Sequence, residues 1–111
     1  MKLTFDDLQA YLADHYCGWA TEQSMFMKLV EEMGEVAEVL NKRAGRKASS
    51  DTDLQEQLGI ELADMIHYII AIAAINGIDL PGVIIEKDKK AAIKYHHATD
   101  LETFLKKINT P

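Results

Sequence analysis

Two acidic clusters interrupt the most apolar stretches of this sequence, and their residue types and spacing suit metal chemistry. Glu31, Glu32 and Glu35 lie in KLVEEMGEVAEVL, and Glu61 and Asp64 lie in IELADMIHYIIAIAAI. Helical residues three positions apart share one face and are roughly 5–6 Å apart at Cβ. Glu32 with Glu35 therefore forms one carboxylate pair, and Glu61 with Asp64 forms another. If the two helices face each other, four oxygen ligands converge, and such a set suits a hard cation such as Mg²⁺ or Mn²⁺.

The apolar surroundings of both pairs support this hypothesis. On a helix of about 100° per residue, residues 25–40 form a broad apolar arc, and Glu32 projects at the edge of that arc. Residues 60–75 are apolar almost all round, which predicts that this helix and its acids are buried. Burial of an unpaired carboxylate costs several kcal/mol even after relaxation, and a bound cation would offset that cost.

Two other interpretations of the acids are open. In a non-enzymatic helical dimerisation module, they would pair with lysines such as Lys28 and Lys87, or lie on a solvated rim. Added magnesium would stabilise a metal protein by mass action and leave an ion-paired module unchanged. A di-iron carboxylate bundle is the other alternative, because Asp64 and His67 are three positions apart. That architecture uses two Glu-x-x-His pairs, whereas His67 points about 60° away from Asp64 on the helix.

The elements that must position these acids are all predicted to be helices, because no sustained alternation or hairpin-turn dipeptide indicates a strand. Helix start signals lie at Thr4, Ser24, Ser50 or Asp51, Asp79 to Pro81, and Thr99 with Glu102. Helix stop signals lie at Gly18, Gly45, and Asn76 with Gly77. The prediction is an all-α, four-helix-bundle-like domain with a short C-terminal helix at residues 99–109, completed by oligomerisation.

Length and composition narrow the class of protein. The 111 residues predict one domain, and a hydrophobic content of 48% is generous for that length, which indicates apolar surface covered by another copy. A net charge of −6 argues against general nucleic-acid binding. The lone Cys17 excludes an internal disulfide. Residues 1–5 contain no apolar leader, and the longest apolar run, residues 65–75, is too short to span a membrane. We therefore expect a cytoplasmic protein without membrane association.

The two clusters together resemble a family signature. EEMGE at residues 31–35, followed after a basic loop at residues 45–53 by ELAD at residues 61–64, resembles the E-E-x-x-E and E-x-x-D pattern of the MazG-like, all-α nucleotide pyrophosphohydrolases. The resemblance is strongest over residues 25–68, and the order of elements agrees from about residue 4 to residue 95. It implies cleavage of a nucleoside triphosphate between the α and β phosphates, giving a monophosphate and pyrophosphate. It also implies a helical bundle completed as a homodimer or homotetramer.

The resemblance also implies roles for the acids. Glu32, Glu35, Glu61 and Asp64 would be the magnesium ligands, and Glu31 would help to hold a second metal ion or orient the attacking water. Phosphoanhydride hydrolysis requires neutralised phosphoryl charge and an in-line water. A carboxylate not fully committed to metal, Glu31 or Glu35, could orient or deprotonate that water.

Four further residues are candidates for substrate binding, each with a structural alternative. Lys28 and Lys87 could hold the polyphosphate or be solvated lysines. Tyr68 could hydrogen-bond a phosphate or sugar, or belong to the core. Trp19 could plug the core or form a wall that stacks a nucleobase. The basic loop at residues 45–53 could close over a polyphosphate or be a solvated connector.

One departure from the family pattern concerns substrate contacts. Many relatives carry an Asn and an Arg after the lysine of the fourth helix, where residues 90–93 of this chain read KAAI. Lys94 could partly substitute for them. The preferred base and sugar, and whether the nucleotide is normal or damaged, are therefore not predicted.

Overall fold

Five α-helices form the regular structure of the computed structural model, which describes residues 1–45 and 53–110. They are α1 (Phe5–His15), α2 (Glu22–Arg43), α3 (Leu54–Ile75), α4 (Leu80–Lys94) and α5 (Leu101–Ile108). No strand occurs within the described ranges, and the all-α prediction is confirmed. Most of the predicted basic loop at residues 45–53 lies outside those ranges.

The chain divides into two compact units. The first, Met1–Ile78, contains α1 to α3, and α3 packs against both α2 and α1. The second, Asp79–Pro111, contains α4 and α5, which pack against each other. Both acidic clusters belong to the first unit. The single domain over residues 1–111 stays a prediction.

Two of the predicted helix starts are confirmed by their capping side chains. Thr4 caps α1 by accepting a hydrogen bond from the N–H of Asp7 at 3.1 Å. Asp79 caps α4 by accepting from the N–H of Gly82 at 3.3 Å, and Pro81 lies in the first turn. These side-chain oxygens satisfy amide groups that have no partner within the helix. The helix stops also agree, because Gly18, Gly45 and Gly77 all have positive φ.

The other three starts differ from the prediction by a few residues. Thr21 caps α2 in place of Ser24, whose N–H donates to Thr21 Oγ1 at 3.2 Å. Asp53 caps α3 in place of Ser50 or Asp51. Asp100 caps α5 in place of Thr99. Each region offers several capping residue types within a few positions, and the cap is the one whose oxygen reaches the amide three residues later.

The core of the first unit is small and involves all three helices. Leu12 of α1 and Ile70 of α3 are the largest fully buried side chains, and α2 contributes Met25 and Val39. Ala71 of α3 is also fully buried. Its small side chain allows a neighbouring helix to approach closely.

Part of the predicted apolar surface is exposed in the single chain. On α2 we define the α2 stripe as Phe26, Val30, Met33, Ala37 and Leu40, all exposed. On α3 we define the α3 stripe as Leu62, Ile66 and Ile69, which expose between 41% and 49% of their surface. The prediction that the third helix is buried is therefore wrong for one side of it. Periodicity shows that a side chain is apolar but not whether the same chain covers it.

Helix α3 is also longer and more apolar than the run counted from the sequence. By length and composition alone, Leu54–Ile75 could cross a membrane, which corrects the estimate that no segment is long enough. The uninterrupted apolar run begins only at Met65, because Glu61 and Asp64 precede it within the same helix. The core helix of a helical protein passes the same test, and α3 packs on two neighbours while carrying this acidic pair.

Truncation of the buried core should destabilise the chain far more than truncation at the surface. Leu12→Ala removes a fully buried side chain and should lower the free energy of unfolding by about 3 kcal/mol, since it leaves a cavity between helices. The matched control is Leu3→Ala, at a leucine that is 69% exposed, with an expected change below about 0.5 kcal/mol. Urea denaturation followed by circular dichroism measures both, and equal losses would contradict the assigned core.

Candidate metal centre

Helices α2 and α3 are antiparallel, and this arrangement brings their acids together. Phe26 and Met27 of α2 line the same surface cavity as Ile72 of α3, so the start of one helix lies beside the end of the other. Further along, Glu32 of α2 meets Glu61 and Asp64 of α3.

Three carboxylates converge at this contact. One oxygen from each of Glu32, Glu61 and Asp64 lies within 4.8 Å of the other two. Glu61 and Asp64 are one turn apart on the same face of α3, as their spacing predicts. The convergence needs both helices, since Glu32 is separated from the other two by about thirty residues of chain.

The Glu32 carboxylate lies close to other negative charges and lacks a positive partner within the part of the chain that the structure describes. Its Oε2 atom is buried and has no hydrogen-bond partner among the described residues. Desolvation, a hydrogen bond with Glu61 and the charges of Asp64, Glu61 and Glu35 together raise the pKa of Glu32 to about 7. No positive group contributes to that shift. A buried carboxylate oxygen without a partner, beside two more carboxylates, completes the all-oxygen donor set that a hard divalent cation prefers, so the residues present fit Mg²⁺ or Mn²⁺.

The other two acids of α2 lie outside this group of three. Glu35 is exposed, although its charge helps to raise the pKa of Glu32. Glu31 is exposed and forms an ion pair with Lys28 at 3.5 Å, with both side chains more than half exposed. Such a pair adds little stability. The structure therefore brings together three of the four predicted metal ligands.

The predicted substrate-binding residues occupy different environments. Tyr68 is half-buried on α3, one turn beyond Asp64. Trp19 is 64% exposed, which makes the core-plug interpretation wrong, and its indole N–H donates to the carbonyl of His15 at 2.8 Å. Lys87 is an exposed residue of α4 in the second unit.

Sequence reasoning missed one contact beside the site. The hydroxyl of Tyr16, in the turn after α1, is 2.6 Å from Nε2 of His67 on α3. The apolar spacing of α1 placed Tyr16 in the core, and it is buried, but spacing gives no indication of its hydrogen-bond partner. The 60° turn of His67 away from Asp64 was the available signal, because it points the imidazole toward another helix.

Comparison with known proteins identifies the architecture. The family model described as "MazG nucleotide pyrophosphohydrolase domain" matches residues 20–98, well over half of the chain. The chain belongs to the MazG family. The matched region contains all three converging carboxylates, and the resemblance noted over residues 25–68 is confirmed.

Two individual proteins are similar to this chain. The uncharacterized protein YpjD of Bacillus subtilis (strain 168) is 28% identical over 81 residues, which are 69% of this chain and 71% of that protein. The crystal structure of iMazG from Vibrio DAT 722 is similar with a TM-score of 0.62 and 27% identity, over 84% of this chain and 98% of that chain. The MazG fold thus accounts for most of the helical structure.

The stability of metal-free protein should fall with rising pH because of Glu32. The pKa of Glu32 is about 7 in the folded state against an ordinary value of 4.5. Its contribution to the free energy of unfolding is therefore complete below about pH 4.5 and is lost as the pH rises through about 7. Between about pH 5 and pH 8 in EDTA, wild type should lose more thermal stability than Glu32→Gln, which has no group to titrate.

Glu31→Gln is the matched control for this experiment, because Glu31 neighbours Glu32 on α2 but lies outside the converging group. It should follow the wild-type pH dependence. Thermal melts monitored by circular dichroism at a series of pH values measure all three proteins. Identical pH dependence of wild type and Glu32→Gln would contradict the raised pKa assigned to Glu32 among the three carboxylates.

Proposed function

We propose that this protein is a magnesium-dependent nucleotide pyrophosphohydrolase of the cytoplasm. It would cleave a ribo- or deoxynucleoside triphosphate between the α and β phosphates, giving a monophosphate and pyrophosphate. The observation that carries the proposal is the convergence of Glu32, Glu61 and Asp64, with one orphaned oxygen, inside a MazG domain. Manganese would be an effective substitute, because it accepts the same oxygen ligands.

The carboxylates divide between two roles in this proposal. Glu32, Glu61 and Asp64 hold the cation, with Glu35, three residues beyond Glu32 on α2, as a fourth ligand. The bound ion supplies charge neutralisation on the phosphoryl oxygens and the departing pyrophosphate. Glu31 and Glu35 are exposed and lie outside the group of three. Whichever of them is not fully committed to the metal can accept a hydrogen bond from the attacking water and take its proton.

Neighbouring side chains would bind the rest of the nucleotide. Lys28 lies one turn before Glu32 and supplies positive charge for the polyphosphate, and the same role for Lys87 stays a prediction. Tyr68 follows Asp64 by one turn and offers a hydroxyl to a phosphate or sugar. The exposed indole of Trp19 offers an apolar face on which a nucleobase can stack.

The charges around Glu32 count against the ion-paired dimerisation module. Within the described residues, no lysine or arginine forms an ion pair with Glu32, Glu61 or Asp64. Every influence on the pKa of Glu32 raises it, whereas a lysine partner would lower it. The cluster is therefore short of positive charge, which a divalent ion would supply.

Pyrophosphate release tests the proposal directly. Wild type with Mg²⁺ should release pyrophosphate from at least one of a panel of nucleoside and deoxynucleoside triphosphates. Asp64→Asn and Glu35→Gln should each reduce that release by at least about 100-fold, because they remove charge that organises the reacting groups. Circular dichroism should show unchanged helical content in both variants.

The matched control is Glu56→Gln, which changes an exposed glutamate in the first turn of α3, away from the cluster. It should retain wild-type turnover. Mg²⁺ should also raise the melting temperature of wild type and Glu56→Gln but not that of Asp64→Asn. Near wild-type turnover in Asp64→Asn, or no release of pyrophosphate from any nucleotide, would overturn the proposed activity.

We also propose that two copies pair through the α2 and α3 stripes, either as a homodimer or within a homotetramer. The α2 stripe recurs at intervals of four and three residues, and so does the α3 stripe, which is the spacing of a helix-packing seam. Each stripe lies about 100–120° round its helix from the α2–α3 contact. Because the helices are antiparallel, these equal rotations bring both stripes to the same side. One continuous apolar face results, and a second copy of the same face would cover it.

A charge within this face should disrupt the pairing. Met33→Lys places an ammonium group at the centre of the α2 stripe, where burial against a second copy would be costly. We expect wild type to elute as an oligomer and Met33→Lys to shift towards the 12.5 kDa monomer in size-exclusion chromatography with light scattering. Ala13→Lys, on an exposed position of α1, should leave the mass unchanged. A monomeric wild type would contradict the pairing.

A further inference from the structure

The hydrogen bond between Tyr16 and His67 joins two helices immediately beside the candidate metal centre. The Tyr16 hydroxyl is 2.6 Å from His67 Nε2, and the two rings meet edge to face with centroids 5.7 Å apart. Tyr16 is 7% exposed, so its hydroxyl has little access to water. A tyrosine hydroxyl is already protonated near neutral pH, and burial, followed by the influence of Tyr68 and Tyr11, raises the pKa of Tyr16 further.

On its α1 side, this contact continues to the exposed indole. The rings of Tyr16 and Trp19 have centroids 5.2 Å apart, and the ring of His15 lies 4.7 Å from that of Tyr16. The indole N–H of Trp19 donates to the His15 carbonyl. Trp19 is thus held by the end of α1 through a hydrogen bond and a ring contact, although most of its surface faces solvent.

On its α3 side, the Tyr16–His67 contact is linked to the three converging carboxylates. His67 is three residues beyond Asp64 on the same helix, and its ring lies 4.9 Å from that of Tyr68. The helix is rigid over one turn, so the position of His67 is fixed relative to the carboxylates. Together with the packing of α1 on α3, the Tyr16–His67 contact therefore helps to fix where the end of α1, with Trp19, lies relative to Asp64.

We propose that Tyr16 and His67 are positioning residues that hold Trp19 at a fixed place relative to Asp64, so that the indole stacks a nucleobase whose phosphates reach the metal. The inference rests on the proposed function and adds the device that determines affinity for the nucleoside part of the substrate. Neither residue has to touch the nucleotide. A preorganised stacking surface lowers the cost of binding, because its side chain is already ordered.

The chain contains one tryptophan, so its fluorescence reports on Trp19 alone. The probes are the α,β-methylene analogues of dATP, dCTP, dGTP and dTTP with Mg²⁺, together with inorganic pyrophosphate, which has no base. In wild type, at least one analogue should quench the fluorescence. Tyr16→Phe removes the hydroxyl and keeps the ring, and it should need about 5- to 10-fold more of that analogue for half-maximal quenching, because the indole must then be ordered on binding.

Steady-state kinetics of pyrophosphate release should likewise distinguish binding of the nucleoside part from binding of the phosphates. Tyr16→Phe should raise KM for the deoxynucleoside triphosphate by a similar factor while kcat stays within about twofold, since the metal ligands are untouched. Inhibition by inorganic pyrophosphate should be unchanged. His67→Phe should behave like Tyr16→Phe, whereas His67→Gln, which can still hydrogen-bond the Tyr16 hydroxyl, should restore most of the affinity.

The matched control is Tyr11→Phe, which removes the hydroxyl of another α1 tyrosine that is 63% exposed. It should match wild type in every assay. The positioning role would be overturned if Tyr16→Phe showed wild-type quenching and KM, or if it lost nucleotide and pyrophosphate binding equally. The proposed function would still stand in either case, provided that wild type releases pyrophosphate. No pyrophosphate release by wild type would overturn both.

Discussion

The packing of α2 against α3 forces three carboxylates together, and the repulsion among them must be compensated for the fold to be stable. The core contacts of α2 and α3 bring Glu32, Glu61 and Asp64 within 4.8 Å of one another. Like charges at this separation cannot all persist in a half-buried place without compensation. In the metal-free chain, the compensation is a proton, as the raised pKa of Glu32 shows. A divalent cation would compensate the negative charge more strongly than a proton, and it could also stabilise charge that develops during a reaction. The same constraint thus links the stability of the fold to the activity of the family.

Much of this arrangement could be predicted from residue spacing. Glu61 and Asp64 are one turn apart in an apolar helix, and Glu32 lies at the edge of an apolar arc, so each had to face a neighbour. The number of helices follows from the capping and stop signals, because Thr4, Asp79 and the three glycines act as their residue types predict. Local chemistry decides these features, and local chemistry is visible in a sequence.

Features that depend on the packing of distant elements could not be predicted in the same way. The hydrogen bond between Tyr16 and His67 joins residues 51 positions apart, and neither residue type specifies the other. Which half of an apolar arc the chain itself covers is also a tertiary property. Composition therefore predicted apolar surface left for another copy but could not assign it to Phe26 and Ile66. Trp19 was ambiguous for the same reason. A large aromatic residue near a helix end has equal reason to be covered or exposed until the neighbouring helices are placed.

Each of three sides of helix α2 has a separate role, and this limits which of its residues can be substituted. One side packs on α3, a second carries the α2 stripe, and the third holds the exposed acids Glu31 and Glu35. Few positions between residues 25 and 40 are therefore neutral to substitution, whereas exposed sites on α1 face no such demands. Random mutation should be tolerated poorly in α2 even where its side chains are solvent-accessible. The evolutionary freedom to adapt to new nucleotides would then lie outside this helix, in the segments that contact the base.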